Sequence, residues 1–84
     1  MTYRWEDDLP IKVTTDATGT PLRFKLGGTW YAVEHMVDRW RVDEGWWEKR
    51  VWREYFELIT TSGQLVVLQR DLIQPKWVLH QFYD

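Results

Sequence analysis

The sequence contains no cysteine, which excludes a disulfide, a thiolate nucleophile and any metal site with cysteine ligands. It also has no apolar run near the roughly 20 residues that a membrane helix needs. The first residues, MTYRWEDD, are polar and acidic and lack the apolar region of a secretory signal. These absences predict a protein of the reducing cytoplasm without a membrane segment.

Side chains suited to catalysis are scarce. The two histidines, His35 and His80, lack the spacing of a metal site, and Ser62 lies in a turn-like Thr-Thr-Ser-Gly. The glycines lack the spacing of a phosphate-binding loop. The paired carboxylates at 7–8 and 43–44 are consecutive residues, whose side chains point apart and stay solvated. We therefore expect no enzyme, no metal and no cofactor.

The length of 84 residues allows one compact domain, because so short a chain cannot build two cores that each offset their ordering entropy. Aromatic residues make up 17% of it and include seven tryptophans. Burial of one ring contributes roughly 4 to 6 kcal/mol of hydrophobic free energy before the entropy cost of ordering it is subtracted. The tryptophans could therefore serve the core of the fold without having any function in binding. The net charge of −2 argues against attraction of the whole protein to nucleic acid or anionic lipid.

Turn residues recur along the chain, at 16–21, 27–28, 43–45, 61–63 and 71–75, and this rhythm predicts short strands. Residues 21–26 alternate apolar and polar, which puts Leu22, Phe24 and Leu26 on one face of a strand. Gly27 and Gly28 fit a two-residue hairpin turn, because both central positions of the favoured turn need positive φ.

The segment from Thr29 to about Val42 fits two structures. A helix over 32–41 would align Val33, Met36 and Trp40, but β-forming residues and the lack of a capping residue favour a strand with a bulge near Met36. Further strands are predicted at 50–60, 64–70 and 77–83.

Five or six antiparallel strands predict an all-β fold, either a strongly bent sheet or a small SH3-like barrel, because closure removes exposed edges. Residues 21–84 form the single β domain, and residues 1–20 form an N-terminal arm, mobile or docked on a neighbouring chain, or an edge strand at 11–14. The predicted core consists of Leu22, Phe24, Val33, Tyr55 or Phe56, Val66, Leu68 and Leu79.

Residues 38–53 concentrate aromatic and basic side chains. The candidate contact residues are its four tryptophans and five basic residues, namely Arg39, Trp40, Arg41, Trp46, Trp47, Lys49, Arg50, Trp52 and Arg53. Because side chains alternate along a strand, Arg39 and Arg41 share one face and Trp40 lies on the other. One of these faces must therefore meet something other than the core.

Two interpretations of this span stay open. In the first, exposed arginines lie flat on tryptophan rings, gain about 0.5 to 1 kcal/mol each by cation–π contact and merely cover apolar surface. In the second, the span is a recognition surface, because Trp, Tyr and Arg dominate binding hot spots.

The charge of the span bears on the kind of partner. Single-stranded DNA could stack its bases on exposed rings while the basic side chains contact phosphates. However, residues 38–54 hold five acidic side chains beside the five basic ones, and a protein tolerates this balance better than a phosphodiester chain does. We therefore expect a protein partner first and single-stranded DNA second; the oligomeric state is not predicted.

A family resemblance rests on Arg23-Phe24, Gly28, Tyr31, Val33, Val37, Asp38-Arg39-Trp40-Arg41, Trp46-Trp47, Tyr55-Phe56, Arg70-Asp71, Trp77, Leu79 and Tyr83-Asp84. Through these residues the range 21–84 resembles an uncharacterised family of small tryptophan-rich bacterial domains. That family occurs as stand-alone proteins and at the end of, or beside, Y-family-like translesion polymerases and their mutagenesis partners. The resemblance thus implies a context of DNA-damage tolerance, with a polymerase or a mutagenesis-complex component as the partner, and implies no chemistry.

Overall fold

A computed structural model describes residues 2–45, 50–74 and 76–83, and their side chains from residue 9 onward. This part of the chain forms six antiparallel strands that close into a barrel in the order of the sequence. The strands are β1 (Thr2–Thr15), β2 (Pro21–Leu26), β3 (Thr29–Gly45), β4 (Arg50–Thr60), β5 (Leu65–Asp71) and β6 (Lys76–Tyr83). The predicted all-β fold is confirmed, and of its two forms the closed barrel is the one observed.

The turns between the strands follow the local chemistry of their residues. Gly27 and Gly28 have φ values of 57° and 83° and join β2 to β3 in the predicted two-residue hairpin. Asp16 organises the turn between β1 and β2, because its Oδ1 accepts the backbone N–H groups of Thr18 and Thr20 at 2.8 and 3.0 Å. No helix that could cross a membrane occurs in the described ranges.

β3 is a strand and not a helix, as predicted. Its pairing with β4 shifts register between Val33 and His35 and again between Met36 and Asp38, which confirms the bulge near Met36. The strand continues to Gly45, which pairs with Arg50, so the turn predicted at 43–45 is wrong. Pairing with β4 keeps Asp43, Glu44 and Gly45 in the strand, although aspartate and glycine favour turns.

Two long strands are shared between different parts of the barrel. β3 pairs with β2 over 29–32 and with β4 over 33–45. β1 likewise pairs with β2 over 12–15 and with β6 between residues 2 and 11. Within the described ranges, β3 beyond Ala32 therefore has a strand partner on one edge only.

The N-terminal segment differs from the prediction. Instead of an arm or an edge strand, β1 runs from Thr2 to Thr15 and has a neighbour on each side, β2 and β6. Its pairing with β6 completes the ring of strands. The sequence analysis missed most of this strand because it gave weight to the polar and acidic character of MTYRWEDD, although Tyr3 and Trp5 alternate with polar residues.

The core lies inside the barrel and consists of Phe24, Phe56, Leu58, Val66, Leu68, Leu79 and Phe82. Val33 packs against it, and of the alternatives Tyr55 and Phe56 the buried one is Phe56. Leu22 was predicted in the core, but its side chain is 49% exposed. The cause is a register shift: Thr15 pairs with Pro21 while Thr14 pairs with Arg23, so Leu22 falls in an irregularity and Pro21 is buried instead.

Candidate interaction surface

Those candidate contact residues that the structure describes lie on the paired strands β3 and β4. Trp46, Trp47 and Lys49 lie outside the described residues. The other six are described, with Arg39, Trp40 and Arg41 on β3 and Arg50, Trp52 and Arg53 on β4. The cross-strand partners of the first three are Phe56, Tyr55 and Glu54, respectively.

This register separates the two faces of the strand pair as strand parity predicted. Arg39 and Arg41 lie opposite Phe56 and Glu54, on the face that continues into the core. Trp40 lies opposite Tyr55, on the outer face. The arginines and the tryptophan thus serve different faces of one short stretch of β3.

On the inner face, two arginines share the carboxylate of Glu54. Arg39 donates Nε and Nη2 to Glu54 Oε2 at 3.0 and 2.8 Å, and Arg41 donates Nε to the same oxygen at 2.8 Å. The Arg39 guanidinium also lies over the Phe56 ring, with its Cζ 5.1 Å from the ring centroid. This cluster of Arg39, Arg41 and Glu54, here called the arginine–glutamate cluster, lies against the wall of the core.

Burial is unequal within the arginine–glutamate cluster. The Glu54 side chain is only 2% exposed, whereas those of Arg39 and Arg41 are 36% and 58% exposed. Burial on its own raises the pKa of Glu54, but the hydrogen bonds from Arg41 and Arg39 and their positive charges outweigh it, so the pKa lies below the ordinary value. Glu54 is therefore ionised at neutral pH, and the cluster carries a net positive charge.

On the outer face, Trp40 stacks on Tyr55. The two rings are nearly parallel, at 7°, with centroids 5.3 Å apart, and His80 from β6 meets the Tyr55 ring edge-on at 5.4 Å. The residues next in register to Tyr55, Gln69 and then Val78, are each 4% exposed. Trp40 itself remains 38% exposed.

Arg50, Trp52 and Arg53 form the other end of the described surface. Arg50 lies over the Trp52 ring, 4.8 Å from its centroid, and pairs with Asp43 at 3.2 Å. Arg53 is the cross-strand partner of Asp71 and helps to hold the pKa of that carboxyl below its ordinary value, although the largest cause is the hydrogen bond from the Gln74 backbone. The cation–π interpretation thus describes Arg50 correctly.

Two pockets differ in their relation to these residues. A pocket of about 190 Å³ is lined by Arg50, Trp52 and Arg53 together with Asp71 at the end of β5 and residues that follow it. A larger one, of about 370 Å³, lies between β1 and the Gly27-Gly28 turn and contains none of the candidates. In the described ranges, no group of three His, Asp or Glu side chains is placed to hold a metal ion.

Sequence analysis missed three residues of this surface, Glu54, Tyr55 and His80, as partners of the predicted ones. Comparison of the chain with protein-family models, with curated proteins and with solved structures gives no match. The fold and the surface are therefore described from the residues of this chain alone, and the family resemblance of residues 21–84 stays a prediction.

Proposed function

We propose that this chain is a non-enzymatic protein-recognition domain whose contact surface is the described part of β3 and β4 around Trp40. The observation that carries the proposal is the position of Trp40, which is 38% exposed yet fixed flat against Tyr55. A ring that is already ordered loses little conformational entropy when a partner covers it, and such rings are enriched among binding hot spots.

Charge favours a protein over a polyphosphate. Each candidate arginine of the described surface is already close to a carboxylate of its own chain: Arg39 and Arg41 pair with Glu54, Arg50 pairs with Asp43, and Arg53 lies opposite Asp71. A phosphodiester backbone would meet these carboxylates beside the guanidiniums that it contacts, which weakens its attraction to the surface. A protein surface of mixed charge meets no such obstacle.

The identity of the partner class rests on the resemblance of residues 21–84 to domains linked with translesion polymerases. On that basis we propose that the partner is a polymerase or a mutagenesis-complex component acting in DNA-damage tolerance. A cytoplasmic protein fits a sequence without cysteine.

The test compares two tryptophans of the same strand. Trp40 and Trp30 are 38% and 44% exposed, so Trp30→Ala is a matched control that removes an indole of similar exposure outside the proposed surface. Binding of a purified translesion polymerase, measured by biolayer interferometry, is expected to weaken about 30-fold in Trp40→Ala, which corresponds to ~2 kcal/mol for a hot-spot truncation. Equal losses in the two variants, or none in either, would contradict the proposal.

Single-stranded nucleic acid is the second candidate, because bases can stack on the exposed Trp40 ring and phosphates can contact Arg39 and Arg41 on the other face of β3. Fluorescence anisotropy with labelled oligothymidylate separates the two functions. Affinity that falls steeply as salt is raised, and that Trp40→Ala abolishes, would favour nucleic acid. No binding at low salt would exclude this candidate.

A further inference from the structure

The arginine–glutamate cluster holds more positive than negative charge. Glu54 supplies one buried carboxylate to two guanidiniums. Arg70 is the cross-strand partner of Glu54 on β5, but its guanidinium lies over the Trp77 ring, with its Cζ 5.7 Å from the centroid, and does not belong to the cluster. The surplus positive charge is therefore fixed at one place, in a protein whose net charge is −2.

The hydrogen bonds within the cluster leave part of the Arg41 guanidinium available to bind a ligand. In the described structure Arg41 bonds to Glu54 through Nε alone. Its two terminal nitrogens form the fork that suits an oxyanion, and that fork is not used by Glu54. Since the Arg41 side chain is 58% exposed, an anionic group can reach it from solvent.

Glu54 also orders the two guanidiniums before any ligand arrives. Three hydrogen bonds of 3.0 Å or less converge on its Oε2, and packing of Arg39 over Phe56 adds a further constraint. Arginine ordinarily loses much rotamer freedom on binding, so a pair fixed by a buried carboxylate binds an anion at lower entropic cost. Glu54 is then a positioning residue.

The kind of anion follows from the strand edge beside the cluster. Asp38 and Glu44 lie on the face of Trp40, and Asp43 pairs with Arg50, so these acidic side chains do not decide between a carboxylate and a phosphate. An extended protein segment that carries a carboxylate can pair with a strand edge through its backbone, whereas a chain of phosphates cannot. The free edge of β3 beyond Ala32, as the described pairings give it, leaves room for such a segment.

We propose that Arg41 and Arg39, positioned by Glu54, bind a carboxylate of the protein partner. The inference rests on the proposed function and names the chemistry of the partner: an acidic segment that lies along the outer edge of β3. The carboxylate accepts hydrogen bonds from the terminal nitrogens of Arg41, while Glu54 keeps both guanidiniums in place.

The experiment uses the full chain labelled with ¹⁵N and titrated with acetyl-tetraglutamate amide. The Nε–Hε signals of Arg39 and Arg41 are expected to shift and saturate, while the signal of Arg50 stays in place, since Arg50 already pairs with Asp43. Acetyl-tetraglutamine amide is the neutral control and octathymidylate is the polyphosphate control. Shifts of Arg50 equal to those of Arg41, or shifts produced equally by tetraglutamine, would overturn the proposal, and so would tighter binding of octathymidylate at these two residues.

Arg41→Lys tests the fork while keeping the charge, and Arg50→Lys is its matched control. We expect the peptide to bind about tenfold more weakly to Arg41→Lys and unchanged to Arg50→Lys, because a lysine cannot make the two parallel hydrogen bonds. Unchanged backbone amide signals in β4 and β5 show that the fold is retained. Equal affinity of Arg41→Lys and the wild type would refute the assignment.

The same variant separates this inference from the proposed function. If Trp40→Ala weakens polymerase binding and Arg41→Lys does not, the carboxylate site is refuted and the recognition surface stands. If neither variant changes polymerase binding, the proposed function fails, and the peptide titration then decides the anion site alone.

Discussion

Replacing Glu54 by glutamine tests how the core is joined to the proposed contact surface. The substitution keeps the volume and shape of the side chain but removes its charge, so Arg39 and Arg41 face a neutral amide in place of a carboxylate. Because Glu54 is 1% exposed, the variant changes a buried group and not a solvated one.

The size of the effect follows from the burial of each partner. Breaking a fully buried ion pair costs roughly 3 to 5 kcal/mol, because the remaining charge is left uncompensated. Here the remaining charges are the guanidiniums of Arg39 and Arg41, which are 36% and 58% exposed and can turn towards water. We therefore expect about 2 kcal/mol of lost stability. For a domain of this size that lowers the melting temperature by about 8 to 16 °C.

The assay is thermal unfolding followed by circular dichroism, with Asp43→Asn as the matched control. That variant makes the same carboxylate-to-amide change in the Arg50–Asp43 pair, whose side chains are 56% and 53% exposed. Its expected cost is below about 0.5 kcal/mol, since exposed pairs contribute little. Equal melting temperatures of the two variants would refute the argument that burial of Glu54 sets the cost.

The difference between wild type and Glu54→Gln also depends on pH. The pKa of Glu54 in the folded protein lies below its ordinary value of 4.5, so its ionisation stabilises the folded state fully above that pH. The stabilisation is lost as the pH falls from 4.5 through the folded pKa. The gap in melting temperature is therefore expected to stay constant between pH 7 and about pH 5.5 and to narrow below pH 4.5. A gap that widens on acidification would contradict the assigned direction.

The remaining predictions concern the fold. Leu58→Ala removes a fully buried side chain and is expected to lower the free energy of unfolding by about 2 to 5 kcal/mol. Leu22→Ala, at a position that is 49% exposed, is expected to lower it by less than about 1 kcal/mol. Urea denaturation measures both, and equal losses would contradict the assignment of Leu58 to the core and of Leu22 to the surface. Gly28→Ala forces an alanine to φ +83° and is expected to cost about 1 to 2 kcal/mol. Gly45→Ala, where φ is not positive and no atom would meet the new Cβ within 4 Å, is expected to be near neutral in thermal melts.

The strands were predictable because their signals are local. Alternation and turn residues placed β4 at 50–60, as observed, and identified the Gly27-Gly28 hairpin. The exposure of Leu22 could not be predicted from such local signals. The alternation of Leu22 with Phe24 is regular in the sequence, but the register shift that exposes Leu22 is set by pairing with β1, and a single strand carries no information about its neighbour's register.

The candidate surface was predictable to the same extent. Strand parity correctly separated Arg39 and Arg41 from Trp40. The pairing of both arginines with Glu54 was not predicted, because it depends on the register between β3 and β4. Counting five acidic against five basic side chains gave the net charge of residues 38–54 but not which side chains form ion pairs. The contact of His80 with Tyr55 was also not predictable, because His80 lies on a strand distant in the sequence.

The stability of a small barrel gives no reason for a glutamate at position 54. An ion pair buried beside the core is often no more stabilising than apolar side chains of similar volume, because desolvation of the charges offsets their attraction. What the carboxylate does contribute is geometry, since it fixes two guanidiniums on β3 at the inner face while Trp40 is fixed against Tyr55 on the outer face. Each face of one short stretch of β3 thus presents side chains that are ordered before a partner arrives. Such preorganisation lowers the cost of binding, and this links the buried Glu54 to the exposed recognition surface proposed for the protein.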